Sequence, residues 1–479
     1  MKHFFCIFSL LAFVVLAGCG PKGPDITRHG LSDGIIARDL EVLPQDLTAY
    51  AERAGGKTQL LDREAQAEQD ARFDENFFAA WNDDITHLPK DMAFEGILNL
   101  APGKGFAENL RPWDLERWQT VLRDCVMELY GSYPIKPAIT VATANLRRLP
   151  TNSPYFLDPD RAGEGFPFDY LQNSALWIGT PVSIMHTSFD RRWVLVQTRL
   201  VSGWVEADKV AVVDKKFIKA WKSRPLGAIV NDNALLFINP GKEDAVTGTA
   251  SREAPIGTVL PFAAPSSETP PQKAPVVYVN VPLRAMNGKA VMANALTSMA
   301  VVRRKPVPLT VENVARVGDS MMGQPYGWGG MYGQRDCSAL MRDLFTPFGI
   351  WLPRNSRPQG QSGTRISLEG LTPDQKEVRV MEKGVPFFSL VSLPGHVGLY
   401  LGSYPVPGEK GETKEVPVMF HNLWGLRTVS GYGENKRNGR AVIGKAVVTT
   451  LRPGAEHAVI SSPASILDRI AGIAVLPPK

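Results

Sequence analysis

The sequence predicts a multidomain protein with a helical N-terminal segment, two small β-barrels and a C-terminal α+β domain. Three observations lead there. The chain has 479 residues, more than one ordinary hydrophobic core can organise. Its apolar period changes twice, from helical spacing before about residue 135 to alternation up to about residue 304, and then to a mixed pattern. Hydrophobic residues make up 44% and charged residues 21% of the chain, the balance of a folded globular protein rather than of a disordered or multi-span membrane chain. Lys and Arg outnumber Asp and Glu by only 53 to 48, and the excess is scattered without a basic stripe, so nucleic acid is not an expected partner.

Residues 1–19 read as an export leader, with Lys2, an apolar run from Phe4 to Ala17, and then small residues. The run is short for a membrane span and is followed at once by Gly20, Pro21 and Lys22. Leu16-Ala17-Gly18-Cys19 has the form of a lipobox, in which Cys19 is acylated and becomes the new N-terminus. The rival is a plain leader with an incidental cysteine. Acyl chains contribute about 0.8 kcal/mol per buried CH2, so two or more anchor a protein to a membrane without a transmembrane helix. The expected location is the cell envelope, lipid-anchored, on the periplasmic side of a membrane if the envelope is Gram-negative. Residues 20–45 carry few apolar side chains and read as a tether.

Residues 46–135 are expected to form a helical domain. Arg63 to Asp84 is rich in Ala, Glu, Gln and Arg; Trp113 to Tyr130 sets Trp113, Leu115, Trp118, Val121, Leu122, Cys125, Val126 and Leu129 near a three-four spacing, which buries Cys125. Residues 136–215 alternate over Ala138 to Val141, Ala175 to Met185, Trp193 to Thr198 and Gly203 to Val210, and Gly203-Trp204-Val205 resembles the closing strand of bacterial SH3-like barrels. Residues 216–304 alternate over Leu226 to Val230, Leu235 to Ile238, Val276 to Val281 and Ala290 to Val302, around a Pro-rich loop from Ala263 to Pro275, and predict a second SH3-like barrel. In residues 305–479, Thr310 caps a helix to Met322 with Val314, Val317 and Met321 inward. Cys337 to Phe348 is amphipathic with Leu340, Leu344, Phe345 and Phe348 inward, and Val385 to Leu393, His396 to Leu401 and Val416 to Phe420 alternate as strands. Helices first and an antiparallel sheet afterwards make an α+β layout.

The reactive residue types gather in this last domain. Gly327-Trp328-Gly329-Gly330, then Arg335-Asp336-Cys337-Ser338-Ala339-Leu340, sets a lone cysteine where a glycine-rich loop enters a helix. A thiol reacts as thiolate, and a helix N-terminus with a nearby imidazolium lowers its pKa from about 8.5 toward neutral or below. Free amides at the helix start can also stabilise an oxyanion. If the leader takes Cys6 and a lipid takes Cys19, two thiols remain, and the plain alternative is a disulfide between Cys125 and Cys337. A thiol nucleophile needs a base and a group that orients it. Of seven histidines, His3 and His29 fall in leader and tether and His87 and His186 in other domains, leaving His396, His421 and His457. His396 shares the less apolar face of its strand with Gly398 and Tyr400; His421, just past Phe420, can reach the His396 ring from a neighbouring strand; His457 follows Arg452-Pro453-Gly454-Ala455 and reads as surface. Singly, each residue has a structural explanation; jointly, in this order, they point to a nucleophile and its base.

The block Tyr326-Gly-Trp-Gly-Gly, Arg335-Asp-Cys-Ser-Ala-Leu, Pro353-Arg-Asn-Ser and Pro394-Gly-His-Val-Gly-Leu-Tyr-Leu-Gly resembles the NlpC cysteine peptidases, a papain-like group acting on peptidoglycan peptides. The resemblance covers about residues 305–450. It implies Cys337 as nucleophile, His396 as base and His421 as the third polar residue, with Asn422 as the alternative because the Pro/Gly/Lys/Glu-rich insertion Pro405 to Pro417 intervenes. Ala339 stands where many members have Gly. The helical segment and paired SH3-like stretches are similar to members that act as γ-D-glutamyl-L-diamino acid endopeptidases. In these the acidic residue before the cysteine and a later serine meet the free N-terminal amine of the substrate, which implies substrate-binding roles for Asp336 and Ser356, beside Trp328 of the glycine-rich loop. The resemblance implies a monomer acting on peptidoglycan peptides beginning with free L-Ala, with no metal or cofactor. The rivals are a wall-binding lipoprotein with an inactive peptidase domain, and an acyltransferase on the same scaffold.

Overall fold

The computed structural model describes residues 37–100, 104–161, 163–232, 234–238, 251–263, 276–407, 412–430, 437–460 and 465–477. The expected leader, Cys19, tether residues 20–36 and loop residues 264–275 lie outside the described residues.

The N-terminal helices pack into cores shared with the other units. Leu47, Tyr50, Phe73, Phe78 and Trp81 share a core with Val314, Val317, Leu344 and Phe348 of the C-terminal domain. Phe94, Trp113, Trp118 and Cys125 instead pack with Leu195 and Trp204 of the first β unit. The physical reason is visible in the helix Arg63–Phe77, which is polar on most sides and buries only Gln66, Gln69 and Phe73. It is held by tertiary bonds: the Gln66 amide donates to the carbonyls of Val307 at 2.7 Å and Phe348 at 3.0 Å. The next predicted helix runs Leu115–Cys125, opened by Asp114, whose carboxylate accepts from the Arg117 amide, and closed at Val126, where φ is 42°. Leu115 and Leu129, both assigned to the buried stripe, are therefore 61% and 42% exposed, one in the first turn and one beyond the break. The tether is also shorter than 20–45: Leu43 is buried, and the Asp39 carboxylate accepts from the Thr450 amide at 2.7 Å and hydroxyl at 2.8 Å.

The first β unit is one antiparallel sheet in the order Gln172–Leu176, Ala144–Arg147, Ser202–Glu206, Trp193–Gln197, Pro181–Thr187, Lys136–Thr140, Val210–Val212. The run expected over Ala175 to Met185 is two strands, because Gly179, at φ 82°, turns the chain between them. The second β unit is built of two sheets, joined by a bridge between Phe262 and Val279. Four strands run in the order Ser251–Ala254, Ala234–Ile238, Ala290–Ser298, Val276–Arg284, and three in the order Val259–Pro261, Leu226–Ile229, Val302–Arg304. Both contribute to the large core that also holds the C-terminal helices.

The C-terminal domain has the predicted α+β layout. Thr310 caps the helix Val311–Asp319 by accepting from the Asn313 amide, and the helix Cys337–Phe345 buries Leu340, Leu344 and Phe345 completely. The sheet behind it is six-stranded and antiparallel, in the order Thr364–Ser367, Gly472–Val475, Ser389–Leu393, His396–Pro407, Thr413–Ser430, Arg437–Thr450. Of the stretch read as an insertion, residues 405–407 and 413–417 are strand, with Pro407 paired to Thr413, so the register toward His421 is preserved apart from a bulge at Tyr400/Gly402. Cys125 and Cys337 are both free and both buried, so the alternative disulfide is absent.

The units meet at one buried cation. The Arg335 guanidinium, 1% exposed, donates to both oxygens of Asp232 in the second β unit at 2.6 and 3.0 Å, to Asp343 of the Cys337–Phe345 helix at 2.7 Å, and to the Ile256 carbonyl at 2.7 Å. Trp177 of the first β unit donates its indole N–H to Asp343 at 2.9 Å and lies against the same guanidinium. Removing one partner of such a pair leaves a desolvated charge. Asp232→Ala is therefore expected to destabilise the fold by about 3–5 kcal/mol in denaturant unfolding. Asp232→Leu combined with Arg335→Met should recover most of that loss, and a loss below about 1 kcal/mol for the single variant would contradict the pairing.

Candidate active site

Cys337 is the first residue of its helix, behind Asp336 as N-cap. The loop before it, 327–330, follows a path that only glycine supports: φ is 57° at Gly329 and 87° at Gly330, and a Cβ on Gly330 would lie 2.5 Å from the Ala175 Cβ of the first β unit. The loop is thereby pressed onto that unit, where Gln172 donates to the Gly329 carbonyl at 3.0 Å and Trp328 donates to the Asp169 carbonyl at 3.0 Å. Trp328 packs edge-on against Phe168 and near Tyr170, and Phe168 also meets Trp424 of the central sheet.

Asp336 is a fully engaged anion. Its Oδ1 accepts from the Ala339 amide at 2.8 Å, the Ser338 hydroxyl at 2.9 Å and Arg354 at 3.1 Å; its Oδ2 accepts from Arg354 at 2.7 Å and the Gly329 amide at 3.2 Å. Arg354 is anchored in turn on the Ser174 hydroxyl of the first β unit at 2.8 Å. Burial alone would raise the Asp336 pKa, but the Arg354 guanidinium with the Ala339 and Ser338 donors outweighs it and holds the carboxyl below its ordinary value. The amine contact expected of Asp336 thus meets oxygens already occupied by five donors, and the visible job of the carboxylate is to cap and fix the helix that carries Cys337. Ser356 begins the short helix Ser356–Gln359, half-buried, which packs against the Cys337 helix and the strand of His396.

The Cys337 thiol lies at the start of the base strand, with Sγ 4.0 Å from the Gly395 carbonyl. His396 Nε2 and His421 Nδ1 are 2.8 Å apart, and His421 Nε2 lies 3.1 Å from the Thr449 hydroxyl. Gly398 makes room for this pair, since a Cβ there would sit 2.9 Å from the His421 Cβ. The direction of each bond follows from Thr449. Its single proton goes to the Thr450 carbonyl at 2.7 Å, so its oxygen accepts from His421 Nε2–H. His421 Nδ1 then has only a lone pair, accepts from His396 Nε2–H, and leaves the His396 Nδ1 lone pair for the thiol proton. Asn422, the alternative third residue, is turned away and donates to the Arg335 carbonyl at 2.8 Å.

The resting charge state differs from the thiolate expected from sequence. Burial, helped by the Asp336 charge, pushes the Cys337 thiol up to about 12, against the opposing pull of the Val397 and Ser338 amides. Burial, then the Arg469 charge, brings His396 down to about 4, and burial lowers His421 as well. Burial thus favours the uncharged forms of both thiol and imidazole, and the thiol proton moves to the imidazole as the nucleophile attacks. Arg354, Thr449 and Ser174 were not singled out from sequence. Arg354 had a signal, a charged residue inside the motif Pro353-Arg-Asn-Ser beside the buried Leu352; Thr449 and Ser174 had none.

A buried thiol at a helix start, facing a proton-ordered imidazole pair, can form and hydrolyse a thioester; this is the constellation of a cysteine peptidase. Residues 323–430 match the NlpC/P60 family, residues 154–206 an SH3 domain of the SH3b1 type, and residues 7–130 the N-terminal stabilising domain of NLPC_P60 proteins. The chain carries an NlpC/P60 domain and an SH3 domain. It is 31% identical over 94 residues to the gamma-D-glutamyl-L-lysine dipeptidyl-peptidase of Bacillus subtilis (strain 168), covering 19% of this chain and 30% of that protein. It is 32% identical over 114 residues to the probable endopeptidase p60 of Listeria monocytogenes, covering 24% of this chain and 20% of that one. The match thus spans less than a third of either relative. A solved NlpC/P60 endopeptidase from Photobacterium damselae subsp. piscicida superposes with a TM-score of 0.78 at 26% identity, over 91% of this chain and 98% of the other.

The proton order assigns Thr449 a positioning role with a specific signature. Thr449→Val leaves His421 Nε2–H without its acceptor and frees the His421 tautomer, so kcat for peptide cleavage is expected to fall about tenfold or more with KM nearly unchanged. Thr449→Ser should restore kcat. Equal kcat for the valine variant and wild type would refute the ordered chain.

Proposed function

We propose that this protein is a cysteine peptidase that hydrolyses the γ-D-glutamyl-L-diamino acid bond of murein peptides, favouring peptides with a free N-terminal L-Ala. The single observation that supports it most is the ordered chain Thr449, His421, His396 beside Cys337, in a chain related to a gamma-D-glutamyl-L-lysine dipeptidyl-peptidase. In this reading Cys337 Sγ attacks the γ-carbonyl carbon of D-Glu as its proton passes to His396 Nδ1. The C–N bond breaks, the same proton goes to the leaving amine, and a thioester remains. Water then gives a proton to His396 and its hydroxyl to the acyl carbon, and the returning proton restores the thiol. Backbone amides of Val397 and Ser338, which favour negative charge at Sγ, assist the attack.

The preference for a short acyl side is supported by the wall that Phe168 and Tyr170 of the SH3-bearing unit raise against Trp328 and Trp424. Because Asp336 is saturated with donors, its substitution should act through the Cys337 helix rather than through one substrate group. Mass spectrometry of L-Ala-γ-D-Glu-L-Lys and its N-acetylated form, after incubation with the protein, tests both points. Wild type is expected to release L-Ala-γ-D-Glu and lysine, and to lose about tenfold or more in kcat/KM on acetylation. Cys337→Ala should abolish turnover, and Asp336→Asn should lower activity on both peptides alike. Turnover by Cys337→Ala within tenfold of wild type would end the peptidase reading; a loss confined to the free-amine peptide in Asp336→Asn would return the amine contact to Asp336.

We further propose that Cys19 is lipidated and tethers the protein to a membrane of the cell envelope, on the strength of Leu16-Ala17-Gly18-Cys19 alone. Cys19→Ala should shift the protein from the membrane to the soluble fraction; unchanged membrane attachment with the leader cleaved would refute the anchor.

A further inference from the structure

Three arginines cluster beside the start of the base strand. Arg427 and Arg440 are direct cross-strand partners in the antiparallel pair formed by Thr413–Ser430 and Arg437–Thr450. Like charges directly opposite destabilise a sheet unless something neutralises them. Among the described residues no carboxylate forms an ion pair with either; Arg440 donates to the carbonyl of its own neighbour Gly439 at 3.0 Å. The third member, Arg469, ends the short helix Ile466–Arg469 and donates Nη2 to the Pro394 carbonyl at 2.8 Å. Pro394 is two residues before His396 and adjoins Gly395, whose carbonyl faces the Cys337 thiol.

The three charges feel one another. After burial, Arg427 and Arg469 are what lower the Arg440 pKa, and Arg469 acts on His396 in the same sense. The adjacent carboxylate is spent elsewhere: Asp468 takes the Ser465 hydroxyl at 2.6 Å in its own helix cap. On the far side, Gly163 at φ 87° comes so close that a Cβ would sit 2.9 Å from Arg440 Nη2, so the SH3-bearing unit closes over the cluster. The cluster is therefore a cationic patch in which Arg427 is exposed and Arg440 and Arg469 are half-buried, set among the central sheet, the helix Ile466–Arg469 and Gly163, with no ion-paired carboxylate on Arg427 or Arg440 among the described residues.

Its place relative to the chemistry selects the ligand. His396 must deliver its proton to the leaving nitrogen, so the leaving fragment lies on the His396 side of Cys337, toward Arg469. We propose that Arg427, Arg440 and Arg469 form a carboxylate-binding subsite for the leaving amino acid, so that the enzyme selects peptides whose scissile amine belongs to a residue with a free carboxylate. This inference rests on the peptidase reading above. The leaving diamino acid carries such a carboxylate whenever it ends the peptide, and guanidinium forks match carboxylates bidentately. A leaving residue with a second carboxylate would use the remaining guanidinium.

The test compares L-Ala-γ-D-Glu-L-Lys with its C-terminal carboxamide. Wild type is expected to prefer the free acid by about tenfold or more in kcat/KM, chiefly through KM. In Arg427→Gln and Arg440→Gln that ratio should collapse toward one. Melting temperatures of both variants should equal or exceed that of wild type, because a like-charge contact has been removed; a purely structural role would lower them. A wild-type ratio near one, or variants that keep the wild-type ratio, would overturn the subsite. If wild type cleaves neither peptide, the peptidase reading fails and the subsite is judged by binding alone. Inorganic sulfate should then raise the melting temperature of wild type and not that of the Arg427→Gln/Arg440→Gln double variant, and equal shifts in both would overturn it.

Discussion

Two opposite charges, buried next to each other immediately before the nucleophile, set the terms for the whole structure. Arg335 and Asp336 sit within two residues of Cys337, and neither can remain dehydrated without a partner. The partners lie outside the loop that carries them. Arg335 is neutralised by Asp232 of the second β unit and by Asp343, six residues beyond the thiol on its helix, while Asp336 is neutralised by Arg354, itself held by Ser174 of the first β unit. The thiol is thus placed by the non-catalytic units as much as by its own domain. The same interlock explains why the N-terminal helices need no core of their own: Gln66 and Leu47 belong to the body that the C-terminal domain builds.

This arrangement favours order over resting reactivity. Burial of the site pushes the Cys337 thiol up and the His396 imidazole down, so it favours their uncharged forms. What the site retains is a fixed proton direction, from the Thr450 carbonyl through Thr449 and His421 to His396, which leaves one lone pair on the His396 ring. A neutral nucleophile and base with defined tautomers have little reorganisation left to perform when a carbonyl carbon arrives.

The local chemistry was legible in the sequence because it depends on short spacing. A cysteine after a glycine-rich loop, a histidine opening an alternating strand and a second histidine just past Phe420 were enough to bring Cys337, His396 and His421 together, and the apolar stripe of Cys337 to Phe348 gave the helix that carries the thiol. The tertiary supports were not legible. Asp232 is 103 residues from Arg335, and Ser174 is 180 residues from Arg354, so no periodicity connects them. What covers the N-terminal helices was not legible either, because spacing reports which face is apolar, not what packs on it; the exposure of Leu115 and Leu129 is the local expression of that limit. The final strand Gly472–Val475, which sits between Thr364–Ser367 and Ser389–Leu393, escaped for a similar reason, since four residues are too few to show a period.

The central claim is that Cys337 carries the acyl group of a D-glutamyl peptide, and the most direct measurement is to trap that thioester. The protein would be quenched in acid during turnover of L-Ala-γ-D-Glu-L-Lys, digested, and examined by mass spectrometry for the peptide containing Cys337. The expected result is a transient adduct with the mass of an L-alanyl-γ-D-glutamyl group on Cys337, which decays as the dipeptide is released and does not form when His396 is replaced by Gln. Cleavage of the tripeptide with no adduct at any time, or with the adduct on another residue, would contradict it.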